Sequence, residues 1–141
     1  MLELGAGAGL PSMVCGLSGE ARTVLVTDYP DLDLVENLKI NVEEVKTLMT
    51  KAQKERCNII AQGYLWGADV EPLLAHLQNQ HDSRENGTGI SFADGKFDLL
   101  ILGDLLFNHS EHNKLLISIR RTLARRADAR ALGKMALNSV Y

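Results

Sequence analysis

The sequence has few cysteines, no long apolar run and no excess of basic charge. Its two cysteines, Cys15 and Cys57, stand far apart without a C-x-x-C spacing, so we expect buried, reduced thiols rather than a disulfide framework or a zinc knuckle. No uninterrupted apolar stretch approaches the roughly 20 residues of a membrane-spanning helix. The first residues also lack the basic start and apolar run of a signal peptide. These absences favour a cytosolic protein.

Charge and motif content remove further classes of protein. The formal net charge is -3, which gives no electrostatic footprint for nucleic acid. The one basic run, 120–130, is interpreted as the solvated end of a helix. Neither a G-x-x-x-x-G-K-[ST] phosphate loop nor a G-x-S-x-G nucleophile elbow occurs, so a P-loop nucleotidase and an α/β hydrolase have no support.

Strand-like and helix-like segments alternate along the chain. The apolar run of 97–107 is continuous, which is typical of a strand covered on both faces in a parallel sheet. Helix 31–49 repeats its apolar residues at three- and four-residue steps, and Ser110 is the expected cap of the last helix. The predicted strands are 2–4, 23–29, 58–66, 97–107 and 134–141, and the predicted helices are 11–19, 31–49, 68–78 and 110–126. This order predicts a single α/β domain over 1–141 with a doubly wound, mostly parallel sheet.

A glycine-rich segment lies directly between the first predicted strand and the first predicted helix. It reads LELGAGAGLPS, with the pattern Glu3-x-Gly5-x-Gly7-x-Gly9. A strand-to-helix turn needs residues that tolerate positive φ, and a ligand lying against the backbone needs residues without side chains. A nicotinamide or flavin fingerprint would place its third glycine where Leu10 stands, which weakens a dinucleotide site. A ligand-binding loop and a plain tight connection are the alternatives that remain.

Two further candidates lie at the same edge of the predicted sheet. Asp28 ends the second strand, where an acidic side chain can accept hydrogen bonds from both ribose hydroxyls of an adenosine ligand. Its alternative role is that of a turn or cap residue before Pro30. Trp66, the only tryptophan, follows the third strand, and its ring suits either stacking on adenine or ordinary core packing.

The end of the fourth predicted strand supplies the last candidates. In GDLLFNHS, Gly103 leaves room for a ligand, while Asp104 and Phe107 reach the crevice in which open α/β sheets bind ligands. His109 and His112 have an H-x-x-H spacing. Because no third ligand lies within sequence reach, we expect capping and solvent exposure rather than a metal site.

Four segments resemble one enzyme family: they are LELGAGAGLPS, VTDYPDLDLVENLKINV, GYLWG and DLLILGDLLFNHSEHNKLL. The first has the E/D-x-G-x-G-x-G form of class I S-adenosylmethionine-dependent methyltransferases. Together they are similar to the seven-β-strand lysine methyltransferases called family 16. Within that group they resemble the fungal members that methylate the N-terminal amine and a lysine of elongation factor 1-alpha. The similarity runs from Leu2 to about Leu123.

The resemblance implies a Rossmann-like fold and S-adenosylmethionine as the cofactor. The implied cofactor-binding residues are Glu3, Gly5, Ala6, Gly7, Asp28, Trp66 and Gly103. Within this set the loop residues would contact the methionine part, the aspartate the ribose, and the tryptophan the surroundings of the adenine. The last glycine would lie beside the sulfonium.

The resemblance also implies a substrate channel and a protein partner. Asp104 and Phe107 match the D-x-x-F/Y segment that lines this channel in the family. Methyl transfer to nitrogen is an in-line displacement, so the protein has to align an unprotonated amine with the sulfonium and keep water out. Asp104 is the candidate for holding or deprotonating that amine. The implied partner is elongation factor 1-alpha, with neither nucleic acid nor a membrane.

The sequence departs from the family at both ends. Family members carry helices before the glycine loop and a β-hairpin after the fifth strand, whereas the segment after Leu123 resembles the family poorly. We therefore expect a partial domain whose function is that of a methyltransferase or of a non-catalytic cofactor-binding remnant. A nicotinamide-dependent oxidoreductase is a third alternative, and Leu10 speaks against it.

Overall fold

The computed structural model describes residues 1–78, 94–105 and 109–134, and the strands of this part form one parallel sheet. The strands are β1 (Leu2–Leu4), β2 (Thr23–Asp28), β3 (Asn58–Gly63), β4 (Leu99–Gly103) and β5 (Arg130–Lys134). Their order across the sheet is β3-β2-β1-β4-β5. The predicted α/β class with a doubly wound parallel sheet is confirmed.

Helices pack on both faces of the sheet. They are α1 (Leu10–Ser18), α2 (Leu32–Leu48), α3 (Lys51–Arg56), α4 (Glu71–Gln78) and α5 (His112–Thr122). Side chains alternate along a strand, and β2 shows the consequence. Val24 and Val26 pack into a core with α1 and α2, whereas Leu25 packs into a second core with α4 and α5. The described residues therefore form three layers, with the sheet between two helical layers.

The fifth strand differs from its prediction in position. It runs over Arg130–Lys134 and pairs with β4 from Leu99 to Gly103, so the prediction that it begins at 134 is wrong. The remainder of the predicted strand lies outside the described residues. The strand is defined by the pairing of its backbone with β4. The side chains of 130–133 are exposed, so the sequence there has no apolar pattern from which a strand could be predicted. The third strand is also shorter than predicted, because it ends at Gly63.

Two helices near the chain's polar segments also differ from the predictions. The sequence pattern does not predict α3, because none of its residues is buried. This helix is stabilised instead by a capping box between Thr50 and Gln53. The predicted cap at Ser110 is wrong: a 3₁₀ turn occupies His109–Glu111, and Glu111 stands at the N-cap of α5.

The structure agrees in part with the interpretation of the basic run as a solvated helix end, and it shows where the two cysteines lie. Arg120 and Arg121 are exposed in the last turn of α5, as expected for a solvated helix end. Arg126 instead forms an ion pair with Asp98, the residue directly before β4, at 2.9 Å from Asp98 Oδ1. Both cysteines are free, one buried and one half-buried, and burial raises the pKa of each thiol. Neither thiol is therefore poised as a thiolate nucleophile.

Candidate functional site

The strand order reverses at β1, since β2 and β3 lie on one side of it and β4 and β5 on the other. Open parallel sheets bind ligands in the crevice at the carboxyl ends of the strands beside such a reversal. The glycine loop follows β1, Asp28 ends β2 and Gly103 ends β4. The structure thus brings the candidates of three separate strands to one edge of the sheet.

The loop after β1 has a backbone that glycine makes possible. Gly5, Gly7 and Gly9 all have positive φ, at 64°, 57° and 77°. At the first of these positions space is restricted as well, because an added Cβ would overlap Cδ2 of Leu105 and lie 3.2 Å from Cζ2 of Trp66. At Gly7 no atom lies within 4 Å of such a Cβ. The loop is therefore closed on its inner side by apolar side chains and open at its middle.

Asp28 is joined to the loop by its carboxylate. Oδ2 accepts a hydrogen bond from the Gly7 N–H at 2.6 Å, and Oδ1 accepts one from the Tyr29 N–H at 2.6 Å. A carboxylate oxygen has two lone pairs, so each oxygen keeps one acceptor position. The side chain is half-buried at the edge of the sheet. This arrangement suits two neighbouring hydroxyls of a ligand.

A residue that the sequence argument did not single out holds the loop from the other side. Asn41 of α2 donates from Nδ2 to the Ala8 carbonyl oxygen at 3.0 Å. It lies between Leu38 and Val42, which are both buried in the core beneath α2. The sequence does show an amide side chain beside the apolar stripe of this helix. Its partner could not be predicted from that pattern, because the partner lies 33 positions away in the chain.

The carboxylate of Glu3 makes its described hydrogen bonds with α1. Its carboxylate, 2% exposed, accepts hydrogen bonds from the Ser12 N–H at 3.1 Å and from the Ser12 hydroxyl. Burial raises the pKa of Glu3, and these two hydrogen bonds oppose the rise. The helix needs such a partner because Gly9 at its N-cap offers no side chain. Glu3 thus fixes α1 behind the loop, and its binding to a ligand stays a prediction.

Trp66 lies in the turn after β3, three positions beyond the end of that strand. It is half-buried, and it packs against the core that includes Leu105 and Leu115. The same ring borders the loop at Gly5. The Trp66 side chain therefore packs against the core and also lies at the edge of the candidate site.

The end of β4 combines open space with an unusual backbone. No atom lies within 4 Å of a Cβ built on Gly103. Asp104 follows with φ of 55°, and it is the only residue other than glycine with positive φ in the described part of the chain. A left-handed backbone at a residue with a side chain costs about 1–2 kcal/mol. Leu105, buried at 5% exposure, anchors the chain directly after it. Phe107 lies outside the described residues.

The H-x-x-H pair of histidines lies at the start of α5 and in the 3₁₀ turn before it. The rings of His109 and His112 meet edge to face, with 5.0 Å between their centroids. Over residues 1–78, 94–105 and 109–134, no three His, Cys, Asp or Glu side chains come together as a metal site would require. None of the helices in these ranges has the length and apolar character needed to cross a bilayer.

Comparison with known proteins gives consistent matches. A family model described as lysine methyltransferase matches residues 1–82. A protein N-terminal and lysine N-methyltransferase of Neurospora crassa is 43% identical over 131 residues, which are 93% of this chain and 42% of that protein. Enzymes with the same description from Cryptococcus neoformans and Eremothecium gossypii are 45% and 46% identical, over 87% and 88% of this chain and 34% and 41% of their own. The chain thus spans about two-fifths of the length of these relatives or less.

Proposed function

Because the chain belongs to the lysine methyltransferase family, we propose that it forms the S-adenosylmethionine-binding part of a protein N-methyltransferase. One observation carries the proposal. The Asp28 carboxylate accepts a hydrogen bond from the Gly7 N–H, which supports a single site formed by the acidic residue at the end of β2 and the glycine loop after β1. That pairing is what recognition of a ribose beside a backbone-lined pocket requires.

The residues at this edge fit the parts of the cofactor. Each carboxylate oxygen of Asp28 keeps one acceptor position for a ribose hydroxyl. Trp66 and Leu105 offer apolar surface beside the loop, which suits the adenine and the thioether chain. The open space at Gly103 leaves room at the end of β4 for the sulfonium.

The chemistry asked of the protein is mainly alignment. The bound cofactor supplies a methyl group activated by the positive sulfur. The chain has to hold an unprotonated amine in line with that methyl group and exclude water. Asp104 is exposed, and its left-handed backbone follows directly on the open space at Gly103. We assign Asp104 the role of holding the amine, and Phe107 that of lining the channel, as the family motif implies.

The proposed substrate is a protein, namely the N-terminal amine and a lysine of elongation factor 1-alpha. The relatives from three fungi are described as protein N-terminal and lysine N-methyltransferases, which supports the two kinds of acceptor nitrogen. A translation factor as substrate places the activity in the cytoplasm.

Titration calorimetry with S-adenosylhomocysteine tests the cofactor site. The unsubstituted chain should bind it saturably, and Asp28→Ala should bind about 10- to 100-fold more weakly, because hydrogen bonds to a charged group are lost. Asp33→Ala is the matched control, since Asp33 is an exposed aspartate in the first turn of α2. It should leave the affinity unchanged. Equal affinity of the two variants would contradict the ribose contact, and preferential binding of NADH would favour the oxidoreductase.

Transfer of a labelled methyl group to unmodified elongation factor 1-alpha tests the reaction. Asp104→Asn keeps the size of the side chain, and asparagine tolerates the left-handed backbone. Methylation should fall in this variant while S-adenosylhomocysteine affinity is retained. Unchanged turnover would remove the role of Asp104. Saturable cofactor binding without any transfer would favour the non-catalytic cofactor-binding alternative.

A further inference from the structure

A buried serine on α5 makes a hydrogen-bonded contact with the turn that carries Trp66. Ser118 is 0% exposed, and its Oγ accepts a hydrogen bond from the Gly67 N–H at 2.8 Å. The same Oγ lies 3.0 Å from the Tyr64 hydroxyl and 3.0 Å from the Lys114 carbonyl oxygen. A backbone N–H can only donate, so the bond from Gly67 holds whichever way the two hydroxyl hydrogens point.

The backbone of the turn is seated on the helix at the same place. Gly67 has φ of 83°, and a Cβ built on it would lie 3.1 Å from Cβ of Lys114. Glycine is thus required both by the left-handed conformation and by the close approach of α5. Gly67 is the neighbour of Trp66 in the chain. The contact with Ser118 consequently fixes the backbone from which the indole extends toward Gly5.

We propose that Ser118 is a positioning residue, which holds Trp66 against the glycine loop through the Gly67 N–H and so preorganises the adenine side of the cofactor site. The inference rests on the proposed function for its ligand, and on the hydrogen bonds of α5 for its geometry. A preorganised wall raises affinity because less freedom is lost on binding. Ser118 itself lies on α5, and we assign it no contact with the cofactor.

The test compares two buried hydroxyls one helical turn apart. Ser118→Ala removes the acceptor for the Gly67 N–H. Thr122→Val is the matched control, because the Thr122 hydroxyl is fully buried and donates to the Ser118 carbonyl oxygen within the same helix, at 2.8 Å. S-adenosylhomocysteine affinity should fall roughly 3- to 30-fold in Ser118→Ala, because the part-buried Gly67 N–H loses its acceptor. It should be unchanged in Thr122→Val.

Fluorescence of Trp66, the sole tryptophan, reports on its position without any ligand. In folded Ser118→Ala, the emission should shift to longer wavelength and acrylamide quenching should increase, whereas Thr122→Val should match the unsubstituted chain. Should the alanine variant not fold, Ser118→Cys is compared with Thr122→Val in the same way, because a thiol is similar in volume to a hydroxyl but is a weak acceptor.

Two results would overturn the proposal. One is Trp66 emission and quenching in the Ser118 variants identical to those of Thr122→Val. The other is an equal change in all variants, which would indicate general damage to α5. If the unsubstituted chain does not bind S-adenosylhomocysteine, the proposed function fails, and the ligand-free fluorescence still decides whether Ser118 positions Trp66.

Discussion

Gly5→Ala and Gly7→Ala form a matched pair that separates steric overlap from backbone strain. Both glycines lie in one loop and have nearly the same left-handed φ, at 64° and 57°. Only the first is enclosed: its added methyl group would overlap Leu105 and approach Trp66 to 3.2 Å. The second faces open space. The difference between the two variants therefore measures the packing of the loop against its apolar wall.

The magnitudes follow from these two contributions. The left-handed conformation lowers the free energy of unfolding by about 1–2 kcal/mol in either variant. Overlap in a packed region adds about 1–3 kcal/mol in Gly5→Ala alone. For a chain of this size, 1 kcal/mol corresponds to roughly 2–4 °C in Tm. Gly5→Ala should therefore unfold roughly 2–12 °C below Gly7→Ala.

Thermal unfolding followed by circular dichroism measures this difference, and Trp66 emission locates it. In Gly5→Ala the emission of the folded protein should change, since the added methyl group displaces the indole or Leu105. In Gly7→Ala it should not. Equal Tm values, together with unchanged emission in both variants, would refute the conclusion that Trp66 and Leu105 close the loop at Gly5.

Three further variants test other parts of the structure. A raised carboxyl pKa means that the folded protein loses stability as pH rises above the ordinary glutamate value of about 4.3. Urea unfolding should therefore show that the stability of Glu3→Gln relative to the unsubstituted chain increases as pH rises above that value. Parallel stability profiles of the two proteins against pH would contradict a raised pKa at Glu3. Asn41→Ala removes the hydrogen bond to the Ala8 carbonyl and should speed amide hydrogen exchange in the glycine loop. It should also lower the free energy of unfolding by about 0.5–1.5 kcal/mol. Unchanged exchange would show that the loop does not depend on α2. Thr50→Ala removes the capping box with Gln53 and should lower the free energy of unfolding by about 1 kcal/mol without changing S-adenosylhomocysteine affinity. A change in that affinity would link α3 to the site.

The sequence predicted the positions of the candidate residues better than the contacts between them. Asp28 and the glycine loop could be assigned to one edge because parallel strands end at the same side of a sheet. The hydrogen bond from Gly7 to Asp28 could not be predicted, since it joins residues 21 positions apart. The roles of Asn41 and Ser118 depend in the same way on partners from other elements.

The sequence by itself determined the α/β class, the alternation of the first four strands with helices along the chain, and the loop between β1 and α1, because hydrophobic periodicity and glycine spacing are local properties. Only the tertiary structure decided that β5 begins at Arg130, that Glu3 contacts α1, and that Trp66 borders Gly5. Each of these depends on backbone pairing or on side chains brought together from distant segments. Such contacts arise from the packing of whole elements, and no local pattern of residues specifies them.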